Sequence, residues 1–532
     1  MNGYLITLLV LLIYFAIVIY LKKTKWLEKH SMSLFGPFVM WRTRRGRQFV
    51  DRLAAPKRFW TAYSIISLWV CAAAMMLIML LLLWEATIVS RVEEPPSPEL
   101  ILGIPGLNPV IPVGYGILGL VVAIVVHELA HGVVTRLGGL RLQSMGLLFL
   151  VVPMGAFVEP DEEELRATTR RKRSRVFAAG PATNILLALV FLGLFSGVMM
   201  ASVAPATDGA LAIGAVEGSP ASRAGIAPGS VVLSIGGEEV VDATAWEERA
   251  SPAPGSLVEI AYVFGGDHGT ATVVDGVVIA YVVEGFAGHT YGLRTGMVIV
   301  SLDDTPVRNV EAFSDIMSGT RSGQTVNVTA MEYVDETGEF EVASSVTEIV
   351  LSNKYDYYAE YDPDDNDPSY DGVGYLGVGA LDLGLDVRDV DFYSGLLSNP
   401  FEGDKDFSDF SMSWLRLIAL PFLDLAPVRA PITDLYEPAG SMAWMPDTLF
   451  WLVANSLYWI FWLNLMVGLT NVLPAVPLDG GYLFKDAVDY LLSRTGRSYT
   501  QAQRDRIVSS LTAAFAFIVL GLILWQLVGP AL

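Results

Sequence analysis

The stretch "VVAIVVHELAHG", residues 121–132, sets two histidines and a glutamate into an otherwise apolar run. On a helix, His127 and His131 are four apart and share one face, so their imidazoles can converge on one metal ion. Neutral imidazole nitrogens suit zinc. Glu128, beside the first of them, can take a proton from a water at the metal. An ionisable side chain in a membrane span costs about 2.5–3.5 kcal/mol on insertion scales. Three in one span point to chemistry more than to helix packing.

A catalytic zinc site needs a third protein ligand. The chain has 5 histidines. His30 lies in a basic segment and His268 and His289 in a long polar region, so a carboxylate is expected. The candidate is Asp479 in "GLTNVLPAVPLDGG", residues 468–481. Prolines and glycines there break the helix and let a carboxylate turn inward. Read alone, Asp-Gly-Gly is a turn signal. Its place at the end of a span, at the membrane level of "HELAH", favours a ligand.

Elements that could hold these groups are legible in the hydropathy. Hydrophobic residues make up 53% of the 532, and mean hydropathy is +0.47, yet net charge is −21. Long polar regions must therefore separate oily ones, and the acidic balance argues against nucleic acid as a partner. Six segments are long enough to span a bilayer at about 20 residues each: 4–20, 60–84, 113–135, 176–202, 449–469 and 507–528. The first is read as an anchor and not a cleaved leader, because "LKKTK" comes directly after it and no cleavage site is evident. The single cysteine, Cys71, excludes an intrachain disulfide and a cysteine-built zinc site.

Charge placement orients the spans. Between the first two lie about 11 Lys/Arg and 2 acids, including "RTRRGR". The stretch after the third span, which ends in "RRKRSR", and the basic residues after the fifth span bring the total on that side to about 24 of 35. That side is expected to be cytoplasmic. Residues 203–447, with about 40 acidic and 10 basic residues, then fall outside the cell.

The outer region repeats itself. "VEGSPASRAGIAPGSVVLSIGGEEV" (216–240) aligns with "VEGFAGHTYGLRTGMVIVSLDDTPV" (283–307). Both copies resemble PDZ domains, which bind extended peptides by strand addition; as a steric filter or spacer the fold would serve equally. Next comes an acidic stretch, with a partial likeness to a calcium loop at Asp362, Asp364 and Asn366 that lacks the required glycine and glutamate. An unstructured linker is the expected reading. "SWLRLIALPFLDLAP" (413–427), broken by Pro421, is expected to be interfacial or re-entrant, and Asn327 opens a glycosylation sequon.

"HELAHG", "FAAGPATN" (177–184) and "NLMVGLTNVLPAVPLDGG" (464–481) together resemble the site-2 protease family of intramembrane zinc metalloproteases. "GLLFLVVPMGAFVEPDE" (146–162) is similar to that family's re-entrant β segment. The resemblance implies that His127, His131 and Asp479 bind Zn2+ and that Glu128 is the catalytic acid/base. Asn184 and Asn471 match asparagines near that family's active site, which implies that they hold the substrate backbone or assist at the scissile carbonyl, although interhelical hydrogen bonding would also account for them.

The expected architecture is a polytopic α-helical membrane protein with about six transmembrane helices and an inserted extracytoplasmic α+β region of two PDZ-like domains. Its parts are a leading helix pair (1–84), the first catalytic membrane part (85–202) and PDZ-like domains at 203–275 and 276–352. A linker (353–447) and the second catalytic part (448–532) complete it. The expected partners are transmembrane protein substrates and the bilayer, in the cell membrane. Deleting 205–350 is expected to broaden or redirect cleavage and leave the zinc site intact. A catalytically silent scaffold, recruiting partners through its PDZ-like domains, is the alternative.

Overall fold

The computed structural model describes residues 3–35, 38–43, 46–89, 97–101, 103–150, 152–249, 253–343, 348–362, 367–495 and 499–531. Arg44, Arg45, Asp364, Asn366 and Arg497 lie outside the described residues. Two compact units emerge: Met1–Met199, Phe401–Pro427 and Leu452–Leu532 form one, Met200–Pro400 and Val428–Trp451 the other.

The first unit is helical. Its long helices are α1 (Gly3–Lys23), α2 (Lys57–Ile88), α3 (Val113–Leu137) and α4 (Arg170–Leu194). After the inserted region come α5 (Phe407–Ala419), α6 (Asp447–Asn471), α7 (Asp479–Arg494) and α8 (Gln501–Val528). Among the described residues five helices are long and apolar enough to cross a membrane: α2, α3, α6, α8 and Arg170–Ser202, which continues α4. The first expected span, α1, is a helix of 21 residues. These helices are apolar all round, as burial in lipid or protein requires. Trp69 on α2 and Phe517 on α8 are accordingly exposed.

α3 and α4 pack together at the centre. α5, 13 residues long, is too short to span. It rests on α6, where Tyr458 donates its hydroxyl to the Leu417 carbonyl at 2.9 Å and Trp462 Nε1 donates to Ile418 at 3.0 Å.

The unit also holds a four-stranded antiparallel sheet, in order β1 (Met32–Phe35), β2 (Phe38–Thr43), β3 (Leu142–Leu150) and β4 (Val152–Pro160). The β3–β4 hairpin falls on the segment expected to be β. β1 and β2 fall in what the charge pattern marks only as a basic loop. Among the described residues β4 pairs with a strand on one side alone, and is the last strand of the sheet.

The second unit is built twice. One sheet has the order β8-β7-β6-β5-β14 from β5 (Ala210–Ala215), β6 (Val231–Ile235), β7 (Leu257–Phe264), β8 (Asp267–Val274) and β14 (Leu385–Asp389). The other has the order β12-β11-β10-β9-β13 from β9 (Val277–Val282), β10 (Val298–Leu302), β11 (Thr325–Val334), β12 (Glu339–Val342) and β13 (Val378–Asp382). The internal repeat of the sequence is thus a repeat of topology. Each sheet takes its last strand from one corner, β13 and β14, turned through Leu383 and Gly384 at positive φ.

Those strands lie inside the stretch expected to be linker, so both sheets extend beyond their expected limits. Helices Ala243–Glu248 and Val310–Ser318 correspond, each starting behind a side-chain cap, Asp242 or Asn309. A cavity of about 540 Å³ between these helices and the corner is lined by Glu247, Glu311, Asp315 and Asp386. Beside it Arg249 and Asp382 pair at 3.5 Å, and burial pushes the Asp382 carboxyl up despite that guanidinium.

Candidate metal centre

The i, i+4 spacing on α3 does what the helix period dictates: the Nε2 atoms of His127 and His131 stand 3.0 Å apart. Both side chains are buried. His131 Nδ1 lies 2.7 Å from the Val176 carbonyl of α4. A carbonyl only accepts, so Nδ1 carries the proton and Nε2 keeps its lone pair. Second-ring-nitrogen contacts of this kind fix the tautomer of metal-binding histidines.

Asp479 arrives from the other side, as the first residue of α7. Between α6 and α7 the chain reverses through "VLPAVPL". At Gly480 a Cβ would stand 2.1 Å from the Val472 carbonyl oxygen, so only glycine allows the reversal to be this tight. The Asp479 Oδ2 atom reaches 3.0 Å from His127 Nε2 and 3.1 Å from His131 Nε2.

Three donor atoms therefore form a triangle with edges of 3.0–3.1 Å. A tetrahedral ion with bonds of about 2.0–2.1 Å spaces its ligand atoms about 3.3 Å apart. Donor atoms converging this closely could hold one metal ion among them. The space beside them is reserved: a Cβ added at Gly180 on α4 would lie 2.4 Å from His131 Nε2 and 2.6 Å from His127 Nε2. The donor set, two imidazoles and a carboxylate with a side chain missing next to them, fits zinc.

Glu128 points its Oε2 at β4, where the Val158 backbone N–H donates to it at 2.8 Å. One carboxylate oxygen is thus tied to the sheet. Asn184, one turn beyond Gly180 on α4, is fully buried, and neither side-chain atom has a hydrogen-bond partner among the described residues. An amide left unpaired in a buried position is costly unless something else occupies it. Asn471 differs: its Nδ2 donates to the Val467 carbonyl at 3.0 Å, inside α6.

His127, His131 and Asp479 come together, with Glu128 next to His127 in sequence, while Asn184 lies on α4 and Asn471 on α6. Asn327 belongs to the second unit, on β11. Sequence reasoning gave no part to Gly180 or to Val158. Gly180 stood in the quoted "FAAGPATN", but a glycine in a helix shows its purpose only when the neighbouring helix is known. Val158 contributes a backbone group, which leaves no mark on residue type.

A family model described as peptidase family M50 matches residues 115–519, more than half of the chain. A Methanocaldococcus jannaschii protein, named only as uncharacterized, is 32% identical over 165 residues, 30% of this chain and 44% of that one. A Clostridium perfringens protein whose name reads "putative zinc metalloprotease" is 30% identical over 189 residues, 30% of this chain and 53% of that one. The chain spans about half the length of the curated relatives it matches.

Proposed function

This chain belongs to peptidase family M50, the site-2 protease family, and from that premise we propose that it is an intramembrane zinc metalloendopeptidase. It hydrolyses peptide bonds within or near the transmembrane segments of other membrane proteins. One observation carries the reading: the His127, His131 and Asp479 donor atoms converge to within 3.1 Å on elements 352 residues apart in sequence.

Zinc, when bound there by those three residues, supplies Lewis acidity toward a peptide carbonyl and toward water. The remaining work falls to the chain's own groups. Glu128 takes the proton from the attacking water and returns it to the departing amine. The Val158 N–H, holding Oε2, keeps that carboxylate aimed during both transfers. The Asn184 amide, with both its donor and its acceptor unspent, is suited to the substrate backbone. Asn471, already bonded within its helix, is the weaker candidate for that task.

A substrate helix hides its carbonyls in internal hydrogen bonds and must unwind before cleavage. The outer edge of β4, beside Glu128, offers the unwound segment strand pairing. On this reading α1 is a sixth crossing and the basic segments mark the cytoplasmic side. The active site opens toward that side, and the repeated sheets stand outside as PDZ-like domains. Their shared acidic cavity supports a filter that discriminates substrates by their outer portions.

The test is cleavage of a transmembrane peptide by purified protein, with the products read by mass spectrometry. Glu128→Gln is expected to lower the rate about 10²–10⁴-fold, the usual worth of general acid–base catalysis. A zinc chelator is expected to stop it. Undiminished cleavage under either change overturns the proposal.

A further inference from the structure

Asp479 sits at the very start of a helix, after a loop, a poor place from which to hold a ligand still. The next turns of α7 supply the missing support. Antiparallel to it, α4 presents matching partners in steps. Phe177 and Tyr482 stack with ring centroids 4.6 Å apart and planes 9° from parallel. Arg173 Nε lies 3.1 Å from both oxygens of Asp486, and its Nη2 also donates to Oδ1. Ser174 Oγ donates to Asp486 Oδ2 at 2.9 Å. One step further, Arg170 Nε meets Asp489 at 3.2 Å, and Arg504 of α8 donates to the same carboxylate.

The spacing is equal on both helices. Seven residues separate Asp479 from Asp486, and seven separate Arg173 from Gly180, the residue against the histidine nitrogens. Seven residues are two turns and about 10 Å, so each set lies on one face of its helix. A slip of one residue along α7 would move Asp479 by about 1.5 Å and turn it by about 100°. Asp486 is 5% exposed, so its charge has few alternatives to the guanidinium fork. A bidentate arginine fixes direction as well as distance, which a lysine would not.

We propose that Arg173, Phe177, Tyr482 and Asp486 form a clamp between α4 and α7 that sets the Asp479 carboxylate onto His127 and His131. They are positioning residues, acting through Asp479. This inference rests on the metal-site reading above and extends it to the support of one ligand.

The test is metal binding by the full-length protein in detergent, with zinc affinity read by chelator competition and cobalt substituted as a spectroscopic probe. Asp486→Asn is expected to raise the zinc Kd about 10–100-fold, the usual effect of losing an outer support of a ligand. Its cobalt visible spectrum is expected to change, because the carboxylate no longer meets the ion as before. Arg173→Lys has a smaller effect in the same direction, and Asp489→Asn, one step farther, smaller still.

Tyr482→Phe keeps the stack and the affinity; Tyr482→Ala loses both. An Asp486→Asn protein with wild-type affinity and spectrum overturns the clamp. So does a weaker affinity with an unchanged spectrum, the sign of general loss of folded protein. Should Asp486→Asn not fold, equal zinc affinities for the two Tyr482 variants overturn it instead. A wild-type protein that binds no zinc sinks the reading of the site, and the clamp with it.

Discussion

Each residue of the centre is held by a different device, and the differences forecast how substitutions behave. His131 is tied through Nδ1 to the Val176 carbonyl, Glu128 through Oε2 to the Val158 N–H. Asn184 is tied to nothing among the described residues although it is fully buried. A buried amide without partners costs about 1–3 kcal/mol. Replacing it by a similarly sized apolar group removes that cost. Asn184→Leu is therefore expected to raise the melting temperature while lowering the cleavage rate of a transmembrane peptide. A variant that is both less stable and fully active would show that Asn184 is a packing residue. The imidazoles and the carboxylate were legible from the sequence because their types and spacing are rare in lipid. Gly180 and Val158 were not: an absent side chain and a backbone amide acquire meaning only from what faces them.

Among the elements, the outer edge of β4 matters most for catalysis. Val158 N–H turns away from β3 to meet Glu128, so by the two-residue alternation of a strand the Ala156 N–H points outward too. Proline at that position removes an edge donor while sparing the β3–β4 ladder. Ala156→Pro is expected to slow cleavage of a helical transmembrane substrate and to leave zinc affinity unchanged. Equal rates for the variant and the wild type would remove β4 from substrate binding. Hydropathy located the long helices within a few residues, since lipid imposes an unmistakable composition. It missed β1 and β2, because the arginines and lysines flanking them make the segment read as a loop on the basic side. Pairing with β3 joins residues about 100 positions apart and leaves no local signal.

For the whole molecule, the repeat was visible and its extent was not. The sequence "YLGVGALDLGLDV" lies next to an acidic stretch, yet it supplies the closing strands of both sheets. Removing residues 205–350 would leave that corner without either sheet, so the informative excision is 210–389, replaced by a flexible linker. The excised protein is expected to keep its zinc and to cut substrates with large and small outer portions at similar rates. If the intact protein already treats the two alike, the outer region is no filter.

The shared corner at Leu383 and Gly384 also constrains ancestry. Had the repeats come from simple tandem copying, the first would be complete before the second began; here the second, residues 277–382, lies whole between β8 and β14 of the first. The second copy can therefore be inherited, grafted or lost alone, whereas the first is split around it. Recombination between relatives can move residues 277–382 by themselves, but moves the first copy whole only with 210–389.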